Sequence, residues 1–196
     1  MPNIFNMRRN DSEKNGLVEL VNFVAKNSNG KPSLVMIEIG SYAGQSMEVF
    51  AGTGKIRKII CVDPWKKGYD PKDPASSTDM DEVERLFDER AGKARSKGVD
   101  VIKYKGTIDT FVLSDDFRRV SGEVDFVYVD GCHQYGAVKH DIETCLSVVK
   151  PCVAVCGHDY NARSWSNVIK AINDSIGEPD MKFKDTSWAK LVKSLD

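Results

Sequence analysis

The run Val35-Met36-Ile37-Glu38-Ile39-Gly40-Ser41-Tyr42-Ala43-Gly44-Gln45-Ser46 decides how the rest of the chain reads. An apolar, β-type segment carries one acid, passes into a glycine-bracketed turn and opens into a helical pattern. An open α/β sheet builds a small-molecule pocket in this way, at the carboxyl end of its first strand. The glycines let the backbone turn tightly and come close to a ligand where a Cβ would collide. The N–H groups at the head of the following helix attract an anionic group. The spacing is Gly40-x-x-x-Gly44, without the middle glycine that lets a backbone close on a pyrophosphate, so the ligand indicated has no diphosphate. Taken alone, the pattern also reads as a plain tight connection between strand and helix.

Working outward, apolar β-type runs recur at 33–39, 58–62, 99–104, 124–129 and 153–156. Segments of helical periodicity lie between them at 45–51, 80–97, 109–119, 137–149 and 164–176. The alternation predicts an α/β protein with a mostly parallel sheet and helices on both faces. Near-continuous hydrophobicity within the β runs fits strands covered on both sides. Residues 16–25 predict a helix capping one side, and residues 1–30 are read as an N-terminal helical cap on a core spanning 33–193 in one domain. Residues 181–184 and 188–192, around Asp185-Thr186-Ser187, predict an antiparallel pair. The polar loop 64–79, with three prolines and a glycine, is long enough to read as a lid or binding loop.

Composition narrows the class. A chain of 196 residues with 41% hydrophobic and 29% charged content suits one soluble domain. A net charge of −1, with Arg8-Arg9, Lys66-Lys67 and Arg118-Arg119 scattered, argues against gripping a nucleic-acid backbone. No apolar stretch approaches the roughly 20 residues that span a bilayer, and Met1–Asn10 has no signal-peptide core. A cytoplasmic protein is expected. The five cysteines have no framework spacing and read as buried free thiols. Oligomeric state is open, a homodimer being compatible.

Three further blocks carry candidate chemistry. Asp63 closes the second β run some 20 residues past the glycine turn, where an acid can take the two hydroxyls of a ribose; a turn or cap aspartate is the competing reading. Trp65 beyond it could wall an adenine or belong to the core. In Val129-Asp130-Gly131-Cys132-His133, Asp130 ends the fourth run at the same rim, and His133 follows as a neutral imidazole able to accept a proton. Gly157-His158-Asp159-Tyr160 adds a third acid. Asp130 and Asp159 on adjacent strand ends could share Mg²⁺, or could cap helices. His158 reads as an inward rim histidine and His140 as solvated.

With these residues in place, the chain resembles the class I S-adenosylmethionine-dependent methyltransferases over about 33–193, and within them the macrocin and catechol-type O-methyltransferase branch. Glu38-x-Gly40-x-x-x-Gly44-x-Ser46, Asp63, Asp130-Gly131-x-His133-x-Tyr135 and Gly157-His158-Asp159-Tyr160 carry the resemblance together. It implies a three-layer Rossmann-like fold with seven strands, the last antiparallel. It places Glu38, Gly40, Ser41, Tyr42, Gly44 and Ser46 around the methionine moiety, Asp63 at the ribose, and Gly106 and Thr107 near the adenine; Trp65 and Asp130, from their own positions beside the ribose acid and at the rim, are expected to complete the cofactor set. In metal-dependent members the acids matching Asp130 and Asp159 hold Mg²⁺, and the residue matching His133 is the general base. One departure is Tyr160, where those members carry a second carboxylate or amide; Asn161 is one residue further on. A second is Pro151-Cys152 in place of Pro-Gly-Gly.

The expected activity is transfer of the sulfonium methyl to a hydroxyl of a sugar or other small hydroxylated metabolite, with the loop 64–79 and the segment before Gly16 closing over the acceptor. A nicotinamide-dependent dehydrogenase is a rival disfavoured by the missing glycine. A non-catalytic S-adenosylmethionine-binding module is a second, disfavoured because a scaffold needs neither Asp130, His133 nor Asp159.

Overall fold

The computed structural model describes residues 10–161 and 163–192. The apolar runs become strands β1 (Leu34–Ile39), β2 (Ile56–Asp63), β3 (Asp100–Lys105), β4 (Phe126–Val129) and β5 (Ala154–Gly157), paired in parallel. Every residue of β1 is buried, as a strand covered on both faces requires. After the short strand β6 (Met181–Lys182), β7 (Trp188–Leu191) returns antiparallel against β5. The order across the sheet is β3-β2-β1-β4-β5-β7-β6, the seven-stranded arrangement expected from the sequence.

Helices fill both faces. On one, α1 (Asp11–Lys26), α2 (Gln45–Gly52) and α3 (Met80–Ser96) pack on the sheet. Leu17, Leu20, Val21 and Val24 of α1 are fully buried, a stripe at the helical period, each contributing about 1.5–3 kcal/mol. Asn10 and Glu13 start that helix with a capping box. The other face holds α4 (Ile108–Val112), α5 (Asp115–Val120), α6 (Tyr135–Thr144) and α7 (Ser166–Ile176).

This topology places the site. From β1 the chain steps to β2 and β3 on one side and then crosses to β4 on the other. The connections leaving β1 and β4 therefore diverge, and a crevice opens at their carboxyl ends.

Several expectations change. The helix expected over 109–119 is two, because the Ser114 hydroxyl accepts from the Phe117 N–H at 3.2 Å and starts a new helix with Asp115 and Asp116 in its first turn. The segment 137–149 is α6 followed by a π-helical turn, Cys145–Val149. Cys152 is exposed, in the turn before β5, with its Sγ 3.2 Å from Asp125; the other four thiols are buried as expected. Loop 64–79 is ordered by a 3₁₀ turn, Pro74–Ser77, and by the Gly68 N–H donating to the Ser76 carbonyl at 2.7 Å. Of the segment before Gly16, residues 10–15 form the cap and first turn of α1. Residues 1–9, with the Arg8-Arg9 pair, and residues 193–196 lie outside the described residues. No helix among the described residues is long and apolar enough to cross a membrane.

Candidate active site

The crevice is a cavity of about 230 Å³. Its wall includes Gly40, Ser41, Tyr42 and Ser46 from the first turn, Asp63 from the tip of β2, Gly106 and Thr107 after β3, and Asp130 and His133 after β4. Nine of the residues singled out from the sequence are thus brought to one space.

Gly40 is the hinge of the arrangement. Its φ is +87°, and a Cβ there would stand 2.1 Å from the Asp130 carbonyl oxygen and 2.6 Å from Gly131 Cα. No side chain fits between the exits of β1 and β4. The turn is then held from outside: the Tyr42 N–H donates to Asp63 Oδ2 at 2.8 Å, the Trp65 indole N–H donates to the Tyr42 carbonyl at 2.8 Å, and Arg90 of α3 donates to the Ala43 carbonyl at 2.5 Å. Asp63 also accepts from the Trp65 N–H at 2.6 Å, so its carboxylate braces the turn as well as facing the cavity. Burial pushes the Asp63 carboxyl up, against the lowering by those two N–H groups.

Three predicted cofactor contacts lie outside the cavity wall. Trp65 is core, 4% exposed, its ring 4.9 Å from that of Phe87; positive φ at this residue (+41°) turns the chain so that the indole points under the turn. Glu38 is fully buried below the turn, its Oε2 3.7 Å from Cys61 Sγ. Gly44 caps α2 at φ +76°, and a Cβ there would press on Phe87 and Met47. These residues shape the turn from beneath.

The β4 end gathers the ionisable groups. One Asp70 oxygen accepts from both the His133 main-chain N–H and its Nδ1, each at 2.8 Å, while His133 Nε2 lies 2.9 Å from Asp159 Oδ2. The Trp165 ring stacks on the imidazole at 4.0 Å. Burial works against a charged His133, but Asp159, Asp70 and Asp130 outweigh it and push the imidazole up to about 9. The expectation of a neutral His133 is thereby corrected: clasped by two carboxylates, the ring holds its proton at neutral pH. Burial would raise Asp70 and Asp159, yet the donors from His133, with Lys72 on one and His158 on the other, hold both below the usual carboxylate range. His158 Nδ1 stands 3.2 Å from Asp159 and 3.8 Å from Asp130. Asp159 itself, at φ +63°, faces a smaller adjoining cleft that shares Asp130 and His133 with the main cavity. His140 is paired on the surface with Asp109 at 2.6 Å.

Asp70 was not singled out from the sequence. It lies in a polar loop without periodicity, and no local signal separates it from Asp73 or Asp79; only the fold carries it back 63 positions to His133.

Asp130, His133 and Asp159 each offer one ligand atom, all within 4.8 Å of one another, so the donor set fits a divalent ion, with the imidazole adding a softer ligand than Mg²⁺ usually takes. Tyr160 does not join them, since its hydroxyl donates to Asn173 at 3.0 Å; Asn161 accepts from the Arg163 N–H at 3.0 Å. For a nucleoside cofactor bearing a sulfonium and an ammonium group the fit rests on charge. Asp63, Asp70, Asp73, Asp130 and Asp141 line the cavity against Lys66 and His133, and an acidic lining favours a cation.

An α/β sheet reversed at β1 and β4, with a glycine turn and an acid at neighbouring strand tips, defines the class I S-adenosylmethionine-dependent methyltransferase fold. A family model described as a methyltransferase domain matches residues 37–160, and the chain belongs to that family. No curated protein matches the chain by sequence. Among solved structures, it is similar to CalS11, a TDP-rhamnose 3'-O-methyltransferase of calicheamicin biosynthesis, with TM-score 0.56 and 13% identity over 89% of this chain and 78% of that one. It is also similar to the O-methyltransferase TomG from Streptomyces achromogenes, involved in tomaymycin synthesis and solved with S-adenosylmethionine (TM-score 0.53, 11% identity, 94% and 90% covered). A third is the ribosomal protein L11 methylase from Lactobacillus delbrueckii subsp. bulgaricus (TM-score 0.53, 14% identity, 89% and 74% covered). At such identities the likeness is one of fold. The chain is an S-adenosylmethionine-dependent methyltransferase, and the dehydrogenase alternative falls with the family match.

Proposed function

We propose that the protein transfers the methyl group of S-adenosylmethionine to a hydroxyl of a small metabolite, a sugar being the leading class, with His133 receiving the hydroxyl proton. The observation that carries this reading is the Asp70–His133–Asp159 line. Asp70 holds the proton on Nδ1, so Nε2, which faces Asp159, is the nitrogen that exchanges a proton with a hydroxyl displacing that carboxylate, and His133 belongs to the wall shared by both clefts. When bound, S-adenosylmethionine supplies a methyl already activated on sulfur, which leaves positioning and proton removal to the protein. Gly40, Ser41 and Ser46 would seat the methionine portion and Asp63 the ribose. A hydroxyl that takes the place of Asp159 Oδ2 against Nε2 removes the partner that keeps the imidazole charged, and the ring can then act as base. Asp130 and Asp159 would hold a divalent ion, which would lower the pKa of a bound hydroxyl and leave His133 Nε2 for its proton.

The test is a methyl-transfer assay with labelled S-adenosylmethionine against panels of hydroxylated sugars, phenols and amines, with and without chelator. Label recovered in a methyl ether supports the reading. Label recovered only on nitrogen contradicts it.

A further inference from the structure

Trp165 is a half-buried aromatic residue that the proton transfer proposed above does not use. It stands at the cap of α7, where helices favour Ser, Thr, Asp or Asn, whose oxygens accept from the first turn. An indole offers a donor and no acceptor. No side chain caps α7 at this residue, although Ser164 and Ser166 flank it. The backbone starts the helix instead: the Trp165 carbonyl accepts from the Val168 N–H at 3.0 Å, and the Trp165 N–H donates to the Asn161 carbonyl at 2.8 Å. The ring lies elsewhere, on the His133 imidazole, with centroids 4.0 Å apart and planes 15° from parallel. The helix behind it is fastened beside both strand exits. Tyr135, two residues past His133, donates to Asp174 at 2.8 Å, and Tyr160, next to Asp159, donates to Asn173 at 3.0 Å. The indole lines neither cleft, so it acts on an acceptor through His133.

A histidine ring turns about χ2, a torsion with broad wells, so contacts must set its plane. In the unliganded fold two carboxylates do so from the ring edges, Asp70 at Nδ1 and Asp159 at Nε2. A hydroxyl that takes the place of Asp159 removes one of them when the direction of Nε2 matters most. The indole face stays. We propose that Trp165 is a positioning residue for the methyl transfer: stacked on the imidazole, it keeps the His133 ring plane fixed once an acceptor hydroxyl has displaced Asp159 from Nε2. The assignment rests on the base role proposed for His133 and deepens it.

Asp159→Gly reproduces the displaced state without an acceptor, and glycine suits the φ of +63° at that residue. In the full chain carrying isotope-labelled histidine, the nuclear magnetic resonance order parameter of the His133 Cδ2–H bond is expected to stay at about 0.85 in Asp159→Gly. It is expected to fall below about 0.6 when Trp165→Ala is added. Circular dichroism melts establish that both variants fold. A ring equally ordered in the double variant, or already mobile in Asp159→Gly, overturns the assignment while leaving the methyl-transfer reading intact. Kinetics supply the second readout, with the hydroxylated acceptor found in the labelled-methyl assay. Trp165→Ala is expected to lose about 10-fold in kcat with the KM for S-adenosylmethionine within about 2-fold, and Trp165→Phe, which keeps an aromatic face, to recover most of that loss. An unchanged kcat in folded Trp165→Ala also overturns the assignment. Methyl transfer to nitrogen alone overturns the base reading itself, and the ring-order measurement separates that failure from a failure of Trp165.

Discussion

Strand β4 is bracketed by two aspartates, Asp125 before it and Asp130 after it, and their fates differ. Asp125 is 2% exposed, yet every group around it is satisfied. Its carboxylate accepts from the Val35 N–H at 2.8 Å and pairs with Lys31, and its carbonyl accepts from the Val153 N–H at 2.8 Å. It stitches the starts of β1, β4 and β5 together. Asp130 sits where those strands end and their connections part, and it joins His133, His158 and Asp159 around two clefts. Residue type is the same at both ends. What differs is that a parallel sheet gathers strand starts into a closed row, while the reversal between β1 and β4 holds their exits open. Charge at the closed end serves the fold; charge at the open end lines the two clefts.

That contrast can be broken from either side. At the open end, His133→Ala should lower turnover on the order of 10²- to 10⁴-fold while leaving S-adenosylhomocysteine affinity within about 3-fold, read by steady-state kinetics and calorimetry. An unchanged rate would remove His133 from the reaction. Asp70→Asn keeps the loop's shape and weakens its hold on the imidazole. It should cost about 10-fold in kcat with little change in the KM for S-adenosylmethionine, through misplacement of the ring. A purely structural Asp70 would instead change the melting temperature and leave kcat alone.

At the closed end, Asp125→Ala should reverse the pattern. It leaves the buried Val35 N–H without its acceptor and should lower unfolding stability by about 1–3 kcal/mol, measured by urea denaturation, while kcat holds. Lys31 is half exposed and regains water, so its lost pair adds little. The smallest effect concerns Asp141. Its carboxyl sits near 7 in the fold against an ordinary value of 3.8, so its contribution is fully present below about pH 4 and is lost as pH rises through 7. Without ligand, Asp141→Asn should gain on the unaltered protein in melting temperature between pH 4 and 8. A constant gap across that range would show that Asp141 is not held near neutrality.

The same contrast explains what was legible beforehand. Strands covered on both faces must be continuously apolar, so β1, β2, β4 and β5 stand out in the sequence within two residues of their ends, whereas the reversal that makes the crevice is a matter of strand order, which no local pattern carries. Gly40, Asp63, Asp130 and His133 were readable because each stands at or within four residues of the carboxyl end of a strand. Asp70 and Asp141 were not, since one sits in an aperiodic loop and the other in a helix beside the solvated His140. Only tertiary approach gives them meaning. Trp65 misled because a tryptophan next to a ribose-type acid suits a base wall as well as a core, and the positive φ that buries it leaves no mark in composition. The break between α4 and α5 was present in Ser114-Asp115-Asp116 as an N-cap with an acidic first turn, and the apolar period running across it hid the boundary.

The central claim is that the crevice between the exits of β1 and β4 seats S-adenosylmethionine. A crystal structure with S-adenosylhomocysteine tests it most directly. The account predicts the homocysteine portion along Gly40–Ser46, the ribose at Asp63, and the base between Ile108 and Cys132. Density for the ligand on any other surface, with this crevice empty, would contradict it.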